Sequence, residues 1–248
     1  MANPGMTPRE RAGCPWVLAM GWHDLLFAHW RVPREILRPW LPAPLELDTY
    51  EGQAWLGVVP FRMSGVRLRW MPPLPPISIF PELNVRTYVT HGGRPGVWFF
   101  SLDAASRVAV RLARATFHLP YFDARMTCRS AANHGIEYTS QRTHRGMVGA
   151  RMEASYRPMG PVFQSEPGSL EHWMTERYCL YSADGRGRIF RGDVEHEPWP
   201  LQRAEASFGH CDMTRMLEWE PPRVDNPHLL FARRVEVRAW WPEIVAHT

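Results

Sequence analysis

The stretch from Phe80 to Met126 constrains the fold most, because it combines a strand, a two-glycine turn, a second strand and a helix. Glu82–Thr90 alternates between polar and apolar residues, and Val97–Asp103 is largely apolar, as strands are. Gly92-Gly93 lies between them and is typical of a tight hairpin turn. A helix is predicted from Ala104 onward. An antiparallel pair followed by a helix favours an α+β fold over a doubly wound parallel sheet.

The same rhythm of short strands and turns continues along the chain, so a β-rich fold with an antiparallel sheet or barrel is expected. Further strands are predicted over Trp16–Trp30, Gln53–Met63, Gly135–His144, Ala150–Arg157, Arg177–Ser182, Arg188–His196, Leu201–Phe208 and Arg234–Trp241, and short helices over Val32–Leu37 and Ser169–Met174. This makes about ten strands and about three helices. Pro60 implies a sheet edge or a bulge. No long linker divides the chain, so residues 16–248 are expected to form one domain behind a loose arm at residues 1–15.

Three arginines mark one face of the predicted helix. Arg107, Arg111 and Arg114 recur at helical spacing and predict a solvated stripe, with phosphate binding as the alternative. The opposite face, predicted to pack, carries Ala105, Val108, Ala109 and Leu112. Asp103 precedes the helix and is a candidate for its N-terminal cap.

The composition excludes several kinds of chemistry. All 29 basic residues are arginine, so the chain can form no lysine Schiff base, has no P-loop lysine and cannot anchor pyridoxal phosphate. The four cysteines are far apart, and neither they nor the histidines show metal-ligand spacing. We therefore expect neither a metal nor a cofactor.

Charge and hydropathy limit the partners. The formal charge of +4 is spread over scattered arginines, which argues against nucleic acid. No apolar run approaches the roughly 20 residues that span a bilayer. A cytoplasmic protein without a membrane partner is therefore expected. The segment Arg69–Pro81 carries five prolines, which predicts an extended loop over a barrel mouth, or alternatively a Pro-x-x-Pro ligand for a partner.

The strand Glu82–Thr90 holds the most unusual polar residues. Glu82, Asn84, Arg86 and Tyr88 share one face of it, because side chains alternate along a strand. Its partner strand is apolar on both faces, which is typical of a strand covered on both sides. The polar row therefore lines an enclosed cavity or forms an ordinary exposed face.

With Gly92-Gly93 at the hairpin tip, the pairing can be predicted. It places Glu82 opposite Asp103, Asn84 opposite Ser101 and Arg86 opposite Phe99. Two carboxyl groups held together in a poorly solvated pocket cannot both ionise easily, so the pKa of one should rise. One carboxyl would then be a general acid or base, with Arg86 nearby to hold a carboxylate or enolate.

Several long motifs resemble a known family. FPELNVRTYV, GRPGVWFFSLDA, SLEHWMTERYCLY and GDVEHEPWPLQ resemble the YqjF-like proteins, the domain of unknown function DUF2071, and the resemblance runs from about Trp22 to Trp241. That family is similar in fold to acetoacetate decarboxylase. The resemblance implies a cone-shaped antiparallel β-barrel with a few peripheral helices and an interior cavity. It also implies that Glu82 matches a glutamate projecting into that cavity. The resemblance further implies that Tyr121 stands where the decarboxylase has its Schiff-base lysine, so amine-catalysed decarboxylation does not carry over.

Two functions remain as hypotheses, and whether the protein is an enzyme stays open between them. The first is non-covalent acid/base chemistry next to a carbonyl, with Glu82, Arg86 and Tyr121 as catalytic residues and Asp103 as a further candidate. The second is non-catalytic binding of an apolar or aromatic small ligand. In both, the predicted ligand-binding residues are Asn84, Tyr88, Phe99 and Ser101. A small-molecule ligand is expected, and a homo-oligomer is left open.

Overall fold

The computed structural model describes residues 15–221 and 226–248. The strands are β1 Leu18–Val32, β2 Glu46–Leu47, β3 Ala54–Leu68, β4 Phe80–His91, β5 Arg94–Ala104, β6 Tyr121–Ser130, β7 Ile136–Arg142, β8 Arg151–Phe163, β9 Cys179–Ala183, β10 Arg188–His196, β11 Leu201–Cys211, β12 His228–Ala239 and β13 Glu243–His247. The α-helices are α1 Arg34–Leu37, α2 Pro75–Ser78, α3 Arg107–Phe117 and α4 Leu170–Thr175. The predicted loose arm falls, apart from Pro15, outside the described residues.

All thirteen strands belong to one sheet, with the order β13-β10-β9-β5-β6-β7-β8-β11-β12-β1-β3-β4-β2. Two additional pairings, β10 with β12 and β4 with β5, close the sheet on itself. Only the short pairings of β5 with β6 and with β9 are parallel among the described strands. The predicted β-rich, mainly antiparallel α+β architecture is confirmed, with more strands than the sequence suggested.

Strand β4 separates two apolar clusters of the interior. On one of its faces Leu83, Val85 and Val89 belong to the larger core cluster. Its other face looks toward a second cluster, which includes Phe61 and Leu102 of the neighbouring strands. Because apolar residues lie on both sides of β4, its polar face is covered by protein and not by bulk solvent.

The hairpin β4–β5 has the predicted turn but only half of the predicted register. Gly92 and Gly93 form its tip with φ of 58° and 73°, the left-handed conformations that a two-residue hairpin turn needs. From there to the pair Arg86↔Phe99 the register is as predicted. Phe100 is then an extra residue, and the pairing continues as Val85↔Ser101. This β-bulge moves every later residue of β5 to the other face of the sheet.

The bulge predicted from Pro60 of β3 is found in β1, the strand that pairs with β3 at this point. Strand β3 is an interior strand between β1 and β4, where a residue without an N–H group would break the ladder. The pairing of β1 with β3 is interrupted between His23 and Ala28, opposite Pro60. Asp24, with φ of 54°, lies in this interruption. The proline is thus accommodated by a bulge and not by a sheet edge.

Helix α3 differs from its prediction in two ways. It begins at Arg107, and Ser106 is its N-cap, with the side chain accepting a hydrogen bond from the Ala109 amide. Asp103 therefore does not cap it. The arginine stripe is exposed as predicted, but Val108 and Leu112 are exposed as well. Val108 and Leu112 line the mouth of a cavity, whereas Ala109 packs against the second core cluster as predicted.

The proline-rich segment is partly extended and partly helical. It turns at Arg69 and Trp70, runs without regular structure to Leu74, and then forms the short helix α2. The prediction of a continuous polyproline-like loop is wrong at α2. Met71, Leu74 and Ile77 of this segment line the same cavity, as expected of a loop at a barrel mouth.

The second half follows the predicted pattern closely. Strands β7 and β8 pair as a hairpin, as do β9 and β10. Ser169 caps helix α4 by accepting a hydrogen bond from the His172 amide. No helix in the described part of the chain is both long and apolar enough to cross a lipid bilayer.

Candidate functional site

The polar row of β4 lines a cavity of about 390 Å³. Glu82 and Asn84 are buried, and Arg86 is half-buried beside them. Tyr88, the next residue of the row, is fully buried and lies beyond the cavity, with its Oη 2.6 Å from Nε2 of His29. The first three residues of the polar row therefore line a cavity, which opens to solvent where exposed residues such as Leu112 line it.

Glu82 and Tyr121 form a buried hydrogen-bonded pair in the cavity wall. Tyr121 begins β6 and pairs with Leu102 of β5, which in turn pairs with Asn84 of β4. This places the two side chains together, and Tyr121 Oη donates to Glu82 Oε2 at 3.0 Å. The 39-residue separation of Glu82 and Tyr121 in the sequence does not predict this contact, because it depends on the parallel pairing of β5 with β6.

Burial controls the protonation of Glu82. It raises the pKa of this carboxyl to about 8, while the hydrogen bond from Tyr121 lowers it and the negative charge of Asp103 raises it. The carboxyl is therefore mainly protonated at neutral pH, unlike an ordinary glutamate. Burial also raises the pKa of Tyr121 well above its usual value, so the phenol keeps its proton.

Asp103 is not the partner of Glu82. The bulge at Phe100 pairs it with Leu83, on the opposite face of the sheet, and pairs Glu82 with Ala104. There Asp103 Oδ1 accepts from Arg142 Nε at 2.8 Å, and both side chains are buried. Burial raises the pKa of Asp103 to about 6, against the opposing effect of Arg142. The predicted pairing of two carboxyls is wrong, and Asp103 affects Glu82 only through its charge.

The same bulge separates the other predicted pairs. Phe99 lies opposite Arg86, as predicted, and lines the cavity. Ser101 lies opposite Val85 instead of Asn84, which places it on the face away from the cavity. The Ser101 hydroxyl is buried and has no hydrogen-bond partner among the described residues.

Arg86 brings a positive charge into the cavity wall. Its Nη2 donates to Tyr88 Oη at 3.3 Å and to the Met174 carbonyl at 3.4 Å. Its guanidinium lies 5.3 Å from the centre of the Phe27 ring. Its Nε is buried without a hydrogen-bond partner in the part of the chain that the structure describes. The arginine is thus held by neutral groups, and one of its donors is unpaired among the described residues.

A second arginine, Arg177, lines the same cavity but is already paired. Its Nη1 contacts Asp48 Oδ2 at 2.7 Å, and its Nε donates to the Trp173 carbonyl at 2.6 Å. Since Asp48 balances its charge, Arg177 supports the wall and adds little to the charge that a ligand meets.

Two further residues of the cavity were missed by the sequence analysis. His196, at the end of β10, donates through Nδ1 to the Glu197 carbonyl at 2.8 Å, and burial lowers its pKa, so the ring is neutral at pH 7. Trp22 of β1 has a buried indole N–H without a partner among the described residues. Both come from strands remote in sequence, and only the alternation of each strand could have indicated their faces.

The rest of the cavity wall is predominantly apolar. It includes Met20, Leu25, Val59, Phe61, Met63, Phe80, Leu102, Leu119, Val194 and Trp199. Within the described residues, no group of three or more His, Cys, Asp or Glu side chains could hold a metal ion. The arrangement is therefore a largely apolar cavity with one protonated carboxyl, one unbalanced arginine and a few unpaired donors.

Comparison with known proteins identifies the family. The model of the DUF2071 family, described as an uncharacterized conserved protein, matches residues 19–236. The chain belongs to the DUF2071 family. It is 44% identical over 225 residues to the uncharacterized protein YqjF of Bacillus subtilis (strain 168), with 91% of each chain covered.

Solved structures confirm the fold expected for this DUF2071 protein. It is similar to an acetoacetate decarboxylase-like enzyme from Sphingomonas wittichii RW1, with a TM-score of 0.65, 12% identity, and 100% and 99% of the two chains covered. It is also similar to the enduracididine biosynthesis enzyme MppR in complex with pyruvate, with a TM-score of 0.65, 13% identity and coverage of 94% and 91%. Acetoacetate decarboxylase from Legionella pneumophila gives a TM-score of 0.63 at 9% identity, with coverage of 94% and 89%. The acetoacetate decarboxylase-like fold is thereby confirmed.

Proposed function

We propose that the cavity is an enzyme active site that moves a proton on a carbon atom next to a carbonyl group. The observation that carries the proposal is the buried pair in the cavity wall, in which Tyr121 donates to Glu82 at 3.0 Å. With its pKa raised to about 8, Glu82 gains and loses its proton near neutral pH. Ionised, it is a stronger base than an ordinary carboxylate, and protonated it is a proton donor.

The proposed step needs no reactant besides the substrate. Ionised Glu82 takes a proton from the carbon beside the carbonyl, and the electron pair of the broken C–H bond forms the enolate. Protonated Glu82 then returns the proton, either to the same carbon or to another position of the same molecule. Tyr121 stabilises the ionised form of Glu82, since its hydrogen bond lowers the pKa of that carboxyl. In a dehydration, protonated Glu82 would give its proton to the departing hydroxyl group, which leaves as water as the enolate forms the C=C bond; hydration is the reverse and takes water as a second reactant.

Arg86 is the proposed holder of negative charge, on an enolate or on a substrate carboxylate. Its free Nε and its neutral hydrogen-bond partners support this role. Charge-assisted hydrogen bonds from arginine to oxygen are strong, and more so in a poorly solvated site. Asn84 and Phe99, which line the cavity beside it, are proposed ligand contacts.

Covalent catalysis through a lysine amine is excluded, because the chain contains no lysine. A Schiff base would need a primary amine in the cavity. Tyr121 occupies the position that the family resemblance gave to that lysine, and its phenol is a hydrogen-bond donor that keeps its proton. The proposed chemistry is therefore acid/base and non-covalent throughout.

Non-catalytic binding is the second candidate, and the apolar wall supports it. Trp22, Phe61, Phe80, Phe99 and Trp199 line the cavity. Burying an apolar ligand against such aromatic surface stabilises a complex whether or not Glu82 exchanges a proton. In this function the polar groups would only orient the ligand.

Native mass spectrometry of the purified full chain is the first experiment, because a co-purified ligand names the chemical class directly. In the second experiment, a set of ketones and oxo acids with apolar side chains is incubated with the protein in D₂O. Proton exchange at the carbon beside the carbonyl is followed by NMR, which detects enolisation even when no net product forms. Binding of each compound is measured in parallel by ligand-observed NMR.

The variants separate the two candidates. Glu82→Gln should bind the ligand and lose exchange by at least about 100-fold, the usual contribution of a general base. Glu205→Gln, which removes an exposed carboxyl paired with Arg157, should exchange like the wild type. If the wild type binds compounds of this set and exchanges none of them, the enzyme proposal fails and the binding function replaces it.

A further inference from the structure

The mouth of the cavity carries apolar side chains that the core does not cover. These exposed side chains line the cavity and form the mouth patch, which consists of Leu68, Met71, Leu74, Val108, Leu112 and Trp241. Trp70, beside Met71 at the tip of a turn, is 81% exposed, and Leu112 of helix α3 is 58% exposed. Contiguous exposed apolar surface of this kind marks a binding surface more often than chance.

Arginines lie in the two segments that form most of the mouth patch, and Arg67 lines the cavity together with it. Residues 52–81 contain three arginines, of which Arg62 is ion-paired with Asp24, and residues 104–122 contain three more, with no Asp or Glu in either segment. Arg107 and Arg111 are exposed on the same helix, each one residue and so about 100° around its axis from Val108 or Leu112, which places them at one side of the patch. Arg69 is held at the turn tip, with its guanidinium 5.0 Å from the Trp70 ring centre. The partner that fits this surface is apolar and negatively charged.

We propose that the mouth patch docks on the surface of an anionic lipid bilayer. Exposed Trp and Leu side chains flanked by arginines suit the interface between acyl chains and headgroups, where apolar residues insert and cations meet lipid phosphates. This binding is peripheral and needs no spanning segment, so it revises the expectation of no membrane partner. It does not depend on the reaction proposed above.

The charges disfavour a second copy of the chain on the same surface. A two-fold dimer places one patch against the identical patch of its partner. The arginines beside the patch would then face the same arginines, with no acidic residue from residues 52–81 or 104–122 to balance them. An anionic bilayer satisfies both the apolar and the positive parts of the surface.

The test is partition of the full chain onto vesicles, measured by sedimentation. Vesicles of phosphatidylcholine alone are compared with an equimolar mixture of phosphatidylcholine and phosphatidylglycerol. We expect binding to the anionic vesicles that weakens as salt is added, and little binding to the neutral ones. Arg107→Gln/Arg111→Gln should bind about fivefold more weakly for each arginine, or roughly 30-fold for the pair.

The matched control is Arg125→Gln/Arg129→Gln, two exposed arginines four residues apart on strand β6. It lowers the net charge by the same amount and should bind like the wild type. Leu112→Asp tests the apolar part and should also weaken binding, while unchanged thermal unfolding shows that each variant is folded. Equal binding of the two arginine pairs, or no partition onto anionic vesicles, would overturn the proposal. A dimer in light scattering that Leu112→Asp converts to a monomer would overturn it in favour of self-association.

Discussion

Replacing Glu82 by glutamine should stabilise the protein increasingly as the pH rises from 5 to 7. Glutamine keeps the shape of the side chain and an oxygen that can accept from Tyr121, but it cannot ionise. The change therefore removes one property of the site, the raised pKa of a buried carboxyl. It tests that property without requiring knowledge of the substrate.

The sign and size follow from the two protonation equilibria. Below pH 4.5, the ordinary pKa of the group, Glu82 is protonated in the folded and in the unfolded chain, so there is no penalty. Between pH 4.5 and about 8 the unfolded chain ionises and the folded one stays protonated, so stability is lost as the pH rises. The loss relative to low pH is about 0.8 kcal/mol at pH 5 and about 3 kcal/mol at pH 7. Because glutamine does not ionise, the variant does not lose this stability as the pH rises.

The free energy of unfolding of both proteins is measured by urea denaturation at pH 5 and pH 7. The difference between variant and wild type should shift in favour of the variant by about 2.5 kcal/mol between these two values. A constant offset from the extra amide hydrogens cancels in this comparison. Glu205→Gln controls for the loss of an exposed carboxyl. A difference that does not change between pH 5 and 7 would show that Glu82 ionises normally, and the proposed acid/base role would lose its basis.

Three further predictions concern neighbouring groups. Arg142→Met should lower the free energy of unfolding by about 3–5 kcal/mol at pH 8, because Asp103, which is ionised beside Arg142 at this pH, stays buried without its partner; urea denaturation at pH 5, where Asp103 is already mainly protonated, should show a smaller loss. Tyr121→Phe should raise the pKa of Glu82, since the lost hydrogen bond favours the ionised carboxyl, and this moves the pH midpoint of activity upward if Glu82 is the base. Gly96→Ala should cost about 1–3 kcal/mol in thermal or urea unfolding, because its Cβ would lie 2.9 Å from a backbone carbonyl oxygen of strand β9.

Local patterns were enough to predict most of the strands. The turn at Gly92-Gly93 and the alternation of β4 act between neighbours in sequence, so the hairpin and its polar face could be predicted. The closure of the sheet could not be predicted in this way, because the pairing of β10 with β12 joins segments that no local pattern relates. The closed, barrel-like sheet was predicted only from the resemblance to the DUF2071 family, because hydrophobic periodicity did not distinguish an open sheet from a barrel.

Helix α3 shows a second property that the sequence pattern does not predict, namely what an apolar helix face contacts. Helical spacing predicts which residues share a face, and Val108 and Leu112 do share one. It does not predict what that face meets: Ala109 packs against the core as predicted, whereas Val108 and Leu112 are exposed at the cavity mouth. Amphipathicity alone cannot distinguish a core from a binding surface, since both need contiguous apolar side chains.

The position of the site depends on one extra residue in β5. Without the bulge at Phe100, Asp103 would lie opposite Glu82, and the two carboxyls would share the cavity and compete for one proton. With it, Asp103 turns to the other face and pairs with Arg142, while Glu82 keeps only the neutral partner Tyr121. One carboxyl is thereby fixed in an ion pair, and the other is left in the cavity with its pKa raised to about 8. In acid/base sites, placing one carboxyl beside a cation and the other among neutral groups leaves a single carboxyl that titrates near neutral pH. The bulge, which local sequence patterns do not reveal, thus determines which carboxyl can meet a ligand.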